Sequence, residues 1–166
     1  MEIQDVIKYN IQQINHIKMV QQYIHGYCNR LMTEAIDHDQ SKFNKNEYED
    51  FVSKQNILNT TTNGLDDNYK NSVKSSGIQT HIKTNPHHPE YWDELGTQMP
   101  IHQAIIMYYD WKSRSVQRGT KMEDFWEHNT RKLKNHPRAL AMVELLAQED
   151  GLNIPISDKT QIVYIE

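Results

Sequence analysis

Cysteine is almost missing from this 166-residue chain, where Cys28 stands alone. A single thiol excludes an internal disulfide framework and a cysteine-built zinc finger. Cys28 itself reads as a half-buried helix residue. No run approaches the roughly 18 consecutive apolar residues that a membrane span requires, so no membrane segment is expected. Basic charge is not in excess, since 18 Lys and Arg face 22 Asp and Glu for a formal net charge of −4. Broad nucleic-acid binding needs a basic face and is not expected. A small anionic substrate stays open, because a bound cation can dominate the local field. The opening residues, Met1-Glu2-Ile3-Gln4-Asp5, have no basic stretch followed by an apolar run. They predict no signal peptide, and the expected setting is the cytoplasm. Strand signals are sparse, which points to an all-α class.

What is present is helical patterning. The hydrophobic share, 37%, is modest but includes nine Tyr and three Trp, which bury large area while keeping a polar tip. The length fits one domain spanning 1–166. Ile3, Val6, Ile7, Ile14, Ile17, Val20, Ile24, Cys28 and Leu31 recur at three- and four-residue steps, predicting a helix over about 3–32 that is weakened at Gly26. A second helix is expected near 44–54, with Tyr48, Phe51 and Val52 facing inward. Gln55 to Asp67 reads as a loop on the turn chemistry of Asn59-Thr60-Thr61-Thr62-Asn63-Gly64. A helix is expected over about 67–83. The two prolines of Asn85-Pro86-His87-His88-Pro89-Glu90-Tyr91-Trp92 speak against a regular helix there. Pro100 suits the first position of a helix to about 118, with Ile101, Ala104, Ile105, Tyr108 and Trp111 inward. Further helices are expected over 121–134 and from Pro137 to before Gly151, a suitable cap. Residues 152–166 read as a short extended tail.

Nine histidines are many for this length, and their placement matters more than their number. His38-Asp39 sits at a helix junction, His81 follows, then His87-His88, then Asp110 between Tyr109 and Trp111. An aspartate among aromatic residues is costly unless it is paired or coordinated. His16 flanks the apolar stripe of the first helix, with His25 as its competitor. Neutral imidazole and carboxylate suit divalent ions such as Fe, Mn, Co, Zn or Mg. Mixed sets of this kind leave positions open for water and substrate oxygen. An aspartate beside a histidine can bridge two ions. His102, His128 and His136 read as ordinary residues, and Tyr91 and Trp92 as core.

The order His16, His38-Asp39, Asp110 resembles the H…HD…D signature of the HD-domain metal-dependent phosphohydrolases. His38-Asp39-Gln40-Ser41-Lys42 is similar to their HD-x-x-K form. His81 with His87-His88-Pro89-Glu90 is similar to the additional histidines of HD-GYP-type phosphodiesterases, although no GYP follows here. The string HDxSKF…H…NPHHPEYW…DW, over roughly residues 14–115, also looks like a small bacterial and phage family related to these hydrolases. The resemblance implies an HD-domain-like helical bundle around one or two divalent metal ions. It implies His16, His38, Asp39, His81, His87, His88 and Asp110 as ligands, and a nucleotide-like phosphate ester cleaved by metal-bound hydroxide. Lys42 would contact substrate phosphate, as the matching lysine of the family does, and Asp39 would take part in catalysis. Arg114, one turn beyond Asp110, is a second candidate for the phosphate. Glu90 is a candidate acid/base or a partner to a ligand histidine. The same ligand order is similar to the mixed-valence di-iron oxygenases that share the HD fold. A non-catalytic interaction module is a third possibility, and exposed aromatics leave room for a homodimer.

Overall fold

The computed structural model describes residues 2–60 and 74–155, with backbone only for 58–60. These residues fall into two units, one ending at Asp37 and one beginning at His38. The expected tail beyond 155 and the loop and helix positions at 61–73 lie outside the described residues. Among the described residues the structure is all-α, without strands.

The first unit is one helix, α1 (Ile3–Asp37). It outruns the expected end at 32 because Met32, Glu34 and Ala35 are good helix formers and no breaker intervenes. Arg30 and Glu34 add an i,i+4 pair at 3.8 Å. No residue of α1 is buried, and Cys28 is exposed rather than half-buried. A single helix has nothing within its own unit to cover its stripe.

The second unit is a bundle of helices. After His38-Asp39 comes a 3-10 turn, η1 (Gln40–Phe43), then α2 (Lys45–Thr60). The expected loop from Gln55 is therefore helical as far as residue 60. The inward face of α2 also differs from the expectation: Tyr48 is 50% and Val52 41% exposed, whereas Glu47 is buried. Phe51 is half-buried as expected. α2 lies against α3 (Ser76–Thr84), so closely that a Cβ at Gly77 would stand 2.7 Å from the Asn46 carbonyl oxygen and from Asp50 Oδ2. Asp50 Oδ2 accepts the Gly77 N–H at 2.6 Å, satisfying a donor that the first turn of α3 leaves free.

Pro86 and Pro89 do not abolish helix, contrary to the sequence reading. Pro89 opens a short one, α4 (Pro89–Glu94), with His88 as its N-cap residue. The first helical position needs no N–H, so proline fits it. α5 (Ile101–Arg118) begins one residue after Pro100 and ends on Gly119 at φ 63°, where glycine takes the left-handed conformation without strain. Its buried face is Gln103, Ala104, Ile106, Met107, Tyr108 and Ser115, while Ile101, Ile105 and Trp111 are only half-buried. The expected helix at 121–134 is broken into η2 (Met122–Phe125), α6 (Trp126–Thr130) and η3 (Arg131–Leu133). Thr130 Oγ1 donates to the Trp126 carbonyl at 2.8 Å, a side-chain bond that competes with the helical ladder. α7 (Pro137–Glu149) ends before Gly151, as expected.

The hydrophobic core lies where α5 meets α7, closed by Met99, Met122, Trp126 and Leu133, with Trp92 and Trp111 packed at its margin. Tyr108 is fully buried and its hydroxyl donates to Asp150 Oδ2 at 2.5 Å, tying α5 to the end of α7.

Gly77→Ala should lower stability by about 1–3 kcal/mol, because the methyl meets backbone oxygen on α2. Gly26→Ala, with nothing within 4 Å of its Cβ, should stabilise α1 by up to about 1 kcal/mol through helix propensity. Urea denaturation of the two variants, followed by circular dichroism, checks both signs.

Candidate metal centre

Four segments of the second unit bring their polar side chains to one place. The junction before η1 supplies His38 and Asp39, α3 supplies His81, the turn before α4 supplies His87 and His88, and α5 supplies Asp110. Two groups of ligand-type atoms result. His81, His87 and His88 form one, and His38, Asp39 and Asp110 the other, each with its atoms within 4.8 Å of one another. Asp39 lies between them. Its Oδ1 is 3.3 Å from His81 Nε2 and 3.6 Å from His87 Nε2. Its Oδ2 is 3.6 Å from His38 Nε2, which stands 3.9 Å from Asp110 Oδ1. Donor atoms about 2.1 Å from a shared ion stand roughly 3–3.5 Å apart. The 3.3 Å from Asp39 Oδ1 to His81 Nε2 falls in that range, and the 3.6 Å to His87 Nε2 lies just above it.

The hydrogen-bond inventory points the same way. Asp39 Oδ1, His81 Nε2, both ring nitrogens of His87 and His88 Nε2 are buried and lack hydrogen-bond partners. Buried polar atoms are nearly always satisfied, and five orphans gathered in one place mark a position for something else. The cluster is a set of nitrogen and oxygen donors able to hold a metal ion.

Its electrostatics suit a cation as well. Burial pushes His87 down to about 4 and His88 well below the ordinary histidine value, so both rings offer lone pairs at neutral pH. Burial alone would raise Asp39, but the close His81 ring, the Lys42 ammonium and His38 outweigh it and hold the carboxyl far below the usual range. Burial would likewise raise Asp110, yet the neighbouring His38 ring and the nearby Lys42 and Arg114 outweigh it and hold the carboxyl below its usual value.

Basic groups crowd the Oδ2 side of Asp39. Lys42 pairs with that oxygen, Arg114 Nη2 donates to it at 3.1 Å, and Arg114 Nε lies 3.5 Å from Asp110 Oδ1. Lys42 Nζ also sits 5.0 Å from the centre of the Phe51 ring. Beyond Phe51, Lys54 is pushed down to about 8 by burial and by the neighbouring Arg118, Lys42 and Arg114.

The supporting shell contains residues that the sequence reading passed over. Glu47 and Asn85 are buried. With Ser41 they converge on His81 Nδ1, at 3.0 Å from Glu47 Oε2, 2.9 Å from Ser41 Oγ and 3.1 Å from Asn85 Nδ2. The turn bearing His87 and His88 is fixed on both flanks. The Trp92 indole donates to the Pro86 carbonyl at 2.6 Å. Buried His136 accepts the Met99 N–H on Nδ1, leaving Nε2–H to face the Pro89 carbonyl at 3.2 Å. Ser41 and Asn85 fall inside the two motifs singled out above. Glu47 carries no sequence signal, because a glutamate in a first helical turn reads as a solvated dipole partner.

Two expected residues are in neither ligand group. His16, like its competitor His25, is exposed on α1 and belongs to neither ligand group. Glu90 sends Oε1 to within 3.5 Å of Lys132 and keeps Oε2 buried without a partner.

A histidine held neutral by the fold gives a definite pH dependence. Its stabilising contribution is complete above the ordinary value near 6.5 and is lost as pH falls towards about 4, the value for His87, because the unfolded chain binds the proton more readily. With a chelator present, the denaturation midpoint should therefore fall between pH 7 and pH 4.5. The fall should be shallower in His87→Gln, measured by urea titration at each pH.

Residues 5–149 match the model of a family described as a family of unknown function, DUF5662. No curated protein and no solved structure matches the chain. The matched stretch runs from α1 to the end of α7 and takes in every residue of the centre just described, and the chain belongs to that family.

Proposed function

We propose that this chain is a metal-dependent phosphohydrolase of the HD type, cleaving a phosphate ester of a nucleotide or nucleotide-like substrate. The observation that carries the reading is the group of orphaned buried donors on Asp39, His81, His87 and His88. Asp39 turns one oxygen to each ligand group, which suits two ions sharing that carboxylate. His38 and Asp110 would complete the second position. Divalent ions held by these residues would supply Lewis acidity and activate water near neutral pH. His87 and His88, neutral through burial, keep their lone pairs for binding.

The chain's own cations account for the substrate. Lys42 and Arg114 lie directly beside Asp39, and guanidinium and ammonium groups recognise phosphoryl oxygen. Lys54 and Arg118 strengthen the positive field on that side. A small anion is therefore drawn to the centre although the chain as a whole is acidic. No described helix is long and apolar enough to cross a membrane.

The nitrogen-rich group of His81, His87 and His88 also favours a second reading, a di-iron oxygenase built on the same fold. Oxygen consumption by iron-loaded protein separates the two.

Elemental analysis should find close to two equivalents of divalent metal in the purified protein, lost in Asp39→Ala together with hydrolysis of nucleotides and aryl phosphates. Absence of metal after reconstitution would overturn the assignment and favour an interaction module. Arg114→Ala should keep its metal and lose about tenfold to a hundredfold in kcat/KM, as expected for one lost charge-assisted phosphate contact.

A further inference from the structure

Ser41 interrupts the HD-x-x-K string without serving as a ligand, and Glu47 is a carboxylate only 5% exposed. A buried carboxylate costs several kcal/mol unless its partners compensate. Its position is explained by counting hydrogens around His81. Asn85 Nδ2 has two, and these reach Ser41 Oγ at 3.0 Å and the His81 carbonyl at 2.8 Å. Ser41 has one, with Glu47 Oε2 and His81 Nδ1 both at 2.9 Å and Asn85 Oδ1 at 3.3 Å, and the carboxylate is the stronger acceptor. With the Asn85 hydrogens on Ser41 Oγ and the His81 carbonyl and the Ser41 hydrogen on Glu47 Oε2, every donor around His81 Nδ1 has an acceptor of its own. In that arrangement His81 Nδ1 carries a hydrogen and donates it to Glu47 Oε2 at 3.0 Å, a carboxylate oxygen being an acceptor.

We propose that Glu47, held by Ser41 and Asn85, is the positioning residue of the metal centre. It takes the Nδ1 hydrogen of His81 and so aims the Nε2 lone pair at the ion. His81 Nε2 is buried, lacks a hydrogen-bond partner and faces Asp39 Oδ1 at 3.3 Å, which is where a ligand nitrogen belongs. Phe51 stacks edge-on against the same ring with centroids 5.1 Å apart, limiting its rotation. A carboxylate behind a ligand histidine fixes the tautomer and makes the nitrogen a stronger donor. The proposal rests on metal binding at this centre, but not on hydrolysis.

The alternative role for Glu47 is purely structural, a strut between α2 and α3. Two measurements separate them. In zinc-loaded protein, long-range proton–nitrogen spectra should show His81 protonated on Nδ1 and bound through Nε2. Cobalt titration should show Glu47→Gln binding about 10- to 100-fold more weakly than wild type. Should that variant not fold, Ser41→Ala keeps the carboxylate while loosening it, and should bind cobalt several-fold more weakly. A strut would change the unfolding midpoint and leave cobalt affinity untouched. A bare Nδ1, or wild-type affinity in both variants, overturns the proposal while leaving the metal reading intact. Failure of the wild-type protein to take up either ion overturns both.

Discussion

The carboxylate of Asp39 is the constraint around which the second unit is arranged. It is approached by His81 and His87 on one oxygen and by His38, Lys42 and Arg114 on the other. These residues come from the junction before η1, from η1 itself, from α3, from the turn before α4 and from α5. A charge drawn this far from water is tolerable only when opposite charge and hydrogen bonds surround it. The apolar core lies apart, between α5 and α7. The bundle therefore has one hydrophobic focus and one polar focus, and α5 takes part in both, through Tyr108 and Asp110.

The polar focus is supported from behind. Glu47, Ser41 and Asn85 brace His81, while Trp92 and His136 hold the turn carrying His87 and His88. The close approach of α2 and α3 at Gly77 brings Glu47 within reach of His81. Backbone packing, caps and ligand geometry are thus parts of one arrangement, and a methyl group added at Gly77 would press on the helix that carries Glu47.

Much of this was legible in the sequence, for physical reasons that differ by element. The helices at α1, α5 and α7 follow from apolar periodicity with proline and glycine at their ends. The residues of the two ligand groups could be named in advance because imidazole and carboxylate are distinctive donors and their order resembles that of HD hydrolases; His16, named with them, belongs to neither group. Glu47 was hidden, since its contacts with Ser41 and His81 span 6 and 34 residues and no local pattern encodes them. The inward face of α2 was misjudged for the same reason. Hydrophobicity assigns Tyr48 and Val52 to the interior, but that helix turns a glutamate inward to meet a histidine. Proline spacing alone marks Pro89 as a breaker, yet it is the first residue of α4, a distinction that depends on whether the preceding turn is closed. Here it is closed, by the His88 N–H donating to the Asn85 carbonyl at 3.0 Å.

The bracing of the turn between α3 and α4 bears on how an ion would arrive. Its two prolines restrict the backbone, and its flanks are tied to Trp92 and His136, so His87 and His88 already converge with the protein folded. Little ordering entropy remains to oppose binding. Such a centre would act as a socket rather than a folding template. A bound ion could then leave and another take its place while the bundle stayed intact, and occupancy would follow supply in the surrounding solution as much as the donor set itself.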